Sequence, residues 1–263
     1  MTVRIEEMTW VEYADRIGKG GVVVFVPVGS LEQHGPHLPM HCDEVIPRAL
    51  SESVAKQIDG IVTPSIAFGY KSQPRSGGGN HLPGTISVDA EVVIGQVRDV
   101  IFELARHGVR QIVMMDGHYE NTMFITEGID LALRWLRFDG VKDMKVLRIG
   151  YYEFTSEETI RKVWADGFPG WPLEHAGVME ISVMLHLHPE LVHMDRPPRH
   201  PPASLPPYDV FPVTAENWPG LPKSGALNSA AGATAEKGAI LYTEYVEGIR
   251  RAVCTEFRLR GTY

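Results

Sequence analysis

The sequence predicts an α/β fold, a mainly parallel sheet flanked by helices on both faces. Three observations predict it. Short apolar runs rich in β-branched residues recur along the chain, segments of helical periodicity separate them, and 263 residues, 44% of them hydrophobic, are enough to bury a core without covalent staples. The first strand is expected at 22–29 (VVVFVPVG), apolar almost throughout, as befits a strand covered on both faces. A helix follows near 43–58, then a strand at 61–66 (IVTPSI), a helix near 89–107 and a strand at 110–115 (RQIVMM). The pattern continues with a helix near 120–137, a strand at 145–151 (KVLRIGY), and helices near 176–187 and 230–253. The whole span 1–263 is read as a single domain.

One stretch stands outside this alternation. Residues from about 195 to 222 hold a large share of the 19 prolines (RPPRHPPASLPPYDVFP), so they cannot form regular helix or a central strand. Leu205, Tyr208, Val210 and Phe211 are interleaved with the prolines, a composition that suits an extended surface segment packed on a neighbouring subunit better than a linker.

Composition excludes several classes of function. A formal net charge of −8 disfavours binding to a phosphate backbone, so nucleic acid is not an expected partner. The longest apolar stretches fall far short of the ~20 residues that a membrane helix needs, and the first residues mix acids and bases with no apolar signal region. Cys42 and Cys254 lie far apart with no C-x-x-C spacing, which argues for a reducing compartment, and the protein is read as cytoplasmic.

The chemistry is concentrated behind two of the strands. After the first comes GSLEQHGPHLPMHCDE, in which Glu32 and His34 stand two apart and Asp43 follows a proline-broken loop. Residues two apart in extended backbone point the same way, so a carboxylate and an imidazole enter one space at the carboxyl end of a strand. RQIVMM ends in DGHYEN, where His118 and Glu120 repeat the spacing in reverse. Two histidines and three carboxylates exceed what one tetrahedral zinc takes, and they suit two ions sharing a bridging carboxylate and a bridging water. Asp43 is the acid left over once each pair is divided, and it is read as the bridge. Nitrogen and oxygen donors without sulfur fit Zn²⁺ or Mn²⁺. His37, His41, His107, His186, His188, His193 and His200 have no acid at this spacing behind a strand and are read as ordinary hydrogen-bonding residues.

Two further stretches add to the site. GYKSQPRSGGGNHLPGT (69–85) can present backbone N–H groups to a small polar ligand, although glycine runs are more often simple flexible loops. It lacks the order of a P-loop, so nucleotide binding has no motif. GFPGWPLEHAGVME (167–180) runs from a Gly/Pro-bounded loop into a helix and gathers Trp171, Glu174 and His175. Glu180 is read either as backing the site or as a helix-surface residue.

The segments PVGSLEQHGPHLPMHCDE, GYKSQPRSGGGNHLPGT, ELARHGVRQIVMMDGHYENTMFITEGIDLAL, GFPGWPLEHAGVMEISVML and HPPASLPPYDVFPV closely resemble those of the creatininase family, in the same order and over nearly the whole chain. The resemblance implies a creatininase-like α/β sandwich, a binuclear zinc or manganese centre and a homohexamer built as a trimer of dimers. It implies that Glu32, Asp43 and His118 hold one ion while His34, Asp43 and Glu120 hold the other. It places Ser76, Tyr119, Trp171 and His175 against the substrate, with His175 moving a proton. Tyr152 would close over the ligand beside Trp171, and Glu174 and Glu120 join His175 as catalytic candidates. The chain departs from the family pattern at Pro172, where an acid is usual, and at Tyr152, where a tryptophan is usual; both positions touch specificity.

The expected activity is hydrolysis of a small cyclic amide, creatinine and water giving creatine reversibly, at two divalent ions per subunit. A second reading keeps the metals and changes the substrate to a formamide of a pyrimidine intermediate or a cyclic sugar ketone. A third is a non-catalytic metal-binding assembly protein.

Overall fold

Four parallel strands, β1 (Val23–Val28), β2 (Ile61–Val62), β3 (Gln111–Asp116) and β4 (Lys145–Gly150), form one sheet in the order β2-β1-β3-β4 in the computed structural model. The structure describes residues 2–211, 213, 218 and 220–259. Among these the α-helices are α1 (Trp10–Gly18), α2 (Cys42–Ile58), α3 (Ala90–Arg106), α4 (Thr122–Phe138), α5 (Glu157–Val163), α6 (Val178–Leu187) and α7 (Ala235–Phe257). The expected α/β class and the helices on both faces are found. None of these helices is long and apolar enough to cross a membrane.

Alternation along β1 divides the core. Val23 and Phe25 face a cluster built with α2, α6 and α7, including Leu50, Ile181 and Tyr245, whereas Val24, Val26 and Val28 face one built with α3 and α4, including Val97, Ile101 and Ile125. All six β1 residues are buried, so the apolar run is a strand with no water-facing side. Each fully buried large side chain contributes about 1.5–3 kcal/mol, which makes these two layers the main source of stability.

Differences from the expected elements have local causes. The strand expected at 61–66 is regular only at Ile61 and Val62, because Pro64 has no N–H to give; Thr63 and Ile66 still donate to Phe25 O and Pro27 O, both at 2.9 Å. The helix expected from 176 starts at Val178, because Ala176 sits at φ 54°, outside the helical region. The helix expected from 120 starts at Thr122, after a 3-10 turn over Tyr119–Asn121. The last helix runs Ala235–Phe257, its start set by Thr234, whose hydroxyl accepts from Lys237 N at 3.2 Å. Helices α1 and α5 were not expected, and both begin at caps: Thr9 with Glu12 in a capping box, and Ser156 accepting from Thr159 N. The described residues of the proline-rich stretch form neither helix nor strand, and Pro212, residues 214–217 and Pro219 lie outside the described set.

The topology locates a site. From β1 the chain passes to β2 on one side and then to β3 on the other, so the crevice at the carboxyl ends of β1 and β3 is a topological switch point. The segments that follow β1 and β3 open there.

Candidate metal centre and substrate cleft

Glu32 and His34 leave the end of β1 through Gly29, and His118 and Glu120 leave β3 through Gly117. Both glycines are required by close approach. A Cβ at Gly29 would fall 2.4 Å from Asp43 O, and one at Gly117 would fall 2.3 Å from the same atom and 2.5 Å from Pro47 Cγ. Pro47 lies in α2 four residues after Asp43 and has no N–H, so it cannot close the usual helical bond to the Asp43 carbonyl. The first turn of α2 therefore seats its backbone between two strand ends, and the Asp43 carboxylate arrives between the two motifs.

There Asp43 turns one oxygen toward each imidazole: Oδ1 is 3.1 Å from His34 Nε2 and Oδ2 is 3.1 Å from His118 Nδ1. Glu32 Oε2 is 2.9 Å from His118 Nδ1. All four residues are buried. Glu32, Asp43 and His118 form one group able to hold a cation, and His34, Asp43 and Glu180 form another. Among the described residues Glu32 Oε1 is buried with no hydrogen-bond partner, and His34 Nε2 and Asp43 Oδ2 are buried with only the ion-pair approaches just given. Such atoms cost free energy unless something satisfies them, and converging N and O donors of this kind fit divalent Zn or Mn.

Burial and mutual charge shift all four of these groups. Burial pushes the Glu32 carboxyl up to about 7, against the pull of His118. Burial also disfavours ionised Asp43, but His34 and His118 outweigh it and hold the group well below the usual carboxylate range. The two imidazoles are raised in turn, burial being outweighed by Asp43 at His34 and by Glu32 and Glu120 at His118. These groups are strongly coupled in a space with little water to screen them.

Glu120 does not stand beside His34. Its Oε2 is 3.6 Å from His118 Nε2, while its Oε1 accepts from Ser76 Oγ at 2.6 Å and from Gln73 N at 2.9 Å. The place near His34 and Asp43 is filled by Glu180 of α6, whose Oε2 is 3.7 Å from His34 Nε2 and accepts from Ala176 N at 2.6 Å. Of the two readings of Glu180, backing the site is the one this position supports.

A cleft opens over these groups, with Ser76, Tyr119, Tyr152, Trp171 and His175 along its walls. Three of them stand on 3-10 turns: Tyr119 after β3, Tyr152 after β4 and Trp171 within the loop before α6. Tyr152 lies between the other two rings, its centroid 6.2 Å from Tyr119 and 5.4 Å from Trp171. The His175 ring packs on His34 at 4.4 Å, with its Nε2 3.9 Å from Glu32 Oε1. Burial and the neighbouring His34 hold His175 well below the ordinary imidazole range.

Glu174 is not hydrogen-bonded to His175. Its Oε1 accepts from Trp164 Nε1 at 2.7 Å and from Asn228 Nδ2 at 3.3 Å, and its Oε2 accepts from Met179 N at 2.9 Å. It pins the loop to the end of α5 and the start of α6. Sequence reasoning missed Gln33, Asp116 and Asn121. Asn121 ties two loops together, donating to Gly29 O at 3.0 Å and accepting from Tyr70 N at 2.8 Å. Asp116 accepts from His118 N at 3.3 Å and Thr122 Oγ1 at 2.9 Å. Only Asp116 carried a signal, as an acid at the end of an apolar strand.

The family model of creatininase, described as creatinine amidohydrolase, matches residues 6–253. Creatinine amidohydrolase of Pseudomonas putida is 49% identical over 257 residues, 97% of this chain and 98% of its own. Among solved structures, a creatininase variant of zinc–zinc type superposes with TM-score 0.95 at 48% identity, covering 98% of this chain and 99% of that one. A manganese creatininase gives 0.94 at 49% with the same coverage. A creatininase variant complexed with creatine gives 0.93 at 48%, again covering 98% and 99%.

Proposed function

The chain belongs to the creatininase family, and from that premise we propose that it hydrolyses creatinine to creatine, reversibly, at a centre of two divalent ions. The observation that carries the reading is the buried cluster of Glu32, His34, Asp43 and His118, with Glu32 Oε1 left without a partner, beneath a cleft walled by aromatic rings. Glu32, Asp43 and His118 would hold one ion. His34 and Asp43 would hold the other, with Glu180 beside them in this structure and Glu120, as the family resemblance implies, as a further ligand. Bound there, zinc or manganese would lower the pKa of water and polarise a carbonyl.

The remaining work falls to the chain's own side chains. Tyr119, Tyr152 and Trp171 take the flat ring of the substrate between aromatic surfaces and exclude water. Ser76 holds the rim and the Glu120 carboxylate together through one 2.6 Å hydrogen bond. The imidazole of His175 would take the proton lost by the attacking water and pass it to the departing ring nitrogen, while Glu174 keeps the loop that bears it in place. The whole span 1–263 acts as one hydrolase domain. The protein works in the cytoplasm, in keeping with two cysteines that lie far apart in the sequence with no C-x-x-C spacing, as a homohexamer built as a trimer of dimers, in keeping with the exposed Tyr208 and Phe211 of the proline-rich stretch.

The test is creatine formation from creatinine by the purified protein, before and after chelation and with Zn²⁺ or Mn²⁺ restored. Turnover that disappears with the metal and returns with it is the expected result. Metal-loaded protein that leaves creatinine untouched would overturn the substrate and turn attention to Pro172 and Tyr152.

A further inference from the structure

Gln33 stands between Glu32 and His34 in the sequence, and its side chain meets His175. Its Oε1 accepts a hydrogen bond from Gly35 N at 2.9 Å, which fixes the amide orientation and leaves Nε2 as the donor. Nε2 lies 3.0 Å from Gly77 O, 3.0 Å from Gly225 O and 3.0 Å from His175 Nε2. One buried side chain thus joins the loop after β1, the glycine-rich loop, the return from the proline-rich stretch and the loop before α6.

The main chain at His175 is held by other groups. Its carbonyl accepts from Leu227 N at 3.2 Å. The next residue, Ala176, is in the left-handed region at φ 54°, with its N–H bonded to Glu180 Oε2 at 2.6 Å and its carbonyl facing His37 Nε2 at 3.3 Å. With the backbone fixed, the remaining freedom is rotation of the imidazole, whose ring lies tilted at 40° to that of His34. The Gln33 amide Nε2 lies 3.0 Å from His175 Nε2, against the ring that this backbone presents.

We propose that Gln33 is a positioning residue for the hydrolytic reaction, holding the His175 ring at the angle in which it meets the substrate. The inference rests on the reading of His175 as the proton carrier. It is tested by a double-mutant cycle on the metal-loaded protein, with kcat, KM and metal content measured for wild type, Gln33→Met, His175→Ala and the double variant. Misplacing a catalytic group by about 1 Å costs on the order of a hundredfold in rate. Gln33→Met is therefore expected to lower kcat by about that factor with KM and bound metal held, and to add nothing to the loss already caused by His175→Ala. Unchanged kcat in Gln33→Met, or an equal further loss on the His175→Ala background, overturns the proposal, since a purely structural role would act in both backgrounds. Full turnover in His175→Ala overturns the proton-carrier reading instead, and the inference falls with it. Should Gln33→Met fail to fold, Gln33→Glu keeps the volume and the Gly35 contact while removing the donor, and the same cycle is read on it.

Discussion

Asp43 meets both imidazoles because its main chain is wedged between two strand ends, and the residue that permits this most directly is Gly117. A methyl group there would fall 2.3 Å from Asp43 O and 2.5 Å from Pro47 Cγ, so α2 would have to move away from β3. Gly117→Ala is expected to lower bound metal per chain, read by elemental analysis, and to cost about 1–3 kcal/mol of stability, as overpacking of a close contact does. Both motif pairs could be read from sequence because extended backbone sends Glu32 with His34, and His118 with Glu120, to one side. Gln33 could not be read in the same way. Alternation says that it points away from Glu32, but its partners Gly77, His175 and Gly225 lie 44, 142 and 192 residues along the chain. The place of Glu180 was hidden for a similar reason: one helical turn decides whether an acid backs a site or faces water, and the positive φ of Ala176 shifts where that helix starts.

Helix α2 delivers Asp43 and also anchors the N-terminal segment. Its Glu52 accepts from Arg4 Nε at 2.7 Å and Arg4 Nη2 at 2.9 Å, and from Arg48 Nε at 3.2 Å, while Arg48 also reaches Glu6. Burial pushes the Glu52 carboxyl up, but the hydrogen bonds from Arg4 and Arg48 outweigh it and the group ends below its usual 4.5. A carboxylate with a depressed folded-state pKa stabilises above its unfolded value and loses that contribution as pH falls through the folded one. The melting temperature of wild type should therefore exceed that of Glu52→Gln at neutral pH, and the gap should close below about pH 4.5. Calorimetry of both proteins across that range checks it. At this scale the sheet and its main helices were legible because apolar runs and helical periods are long signals. Helices α1 and α5 are short, and α1 leaves Trp10 and Val11 exposed, so its capping box was the better clue. The shortness of β2 was legible in hindsight from Pro64.

On the scale of the whole molecule, the stability of the fold and the filling of its centre are linked. Two imidazoles and several carboxylates lie buried within a few ångströms, and a cation that satisfies them binds the folded chain far better than the unfolded one. At about a hundred times its Kd such an ion adds about 2.7 kcal/mol. Chelation is expected to lower the melting temperature in a scan, and restoring Zn²⁺ or Mn²⁺ should recover it; an unchanged melting temperature would contradict the metal centre. The order of the strands is what gives this site its place, since a sheet whose chain had not reversed direction after β1 would have no crevice there. The same architecture has an optical side. Trp171 lines the cleft, and its ring centre is 5.9 Å from that of buried Trp164 at nearly a right angle, with Phe168 edge-on between them at 4.7 and 4.8 Å. Two indoles this close exchange excitation energy, so the near-ultraviolet dichroism and emission of the protein carry a signal whose source is the wall of the cleft. Occupancy of the site thereby becomes a property that can be watched in light, without a label and without waiting for turnover.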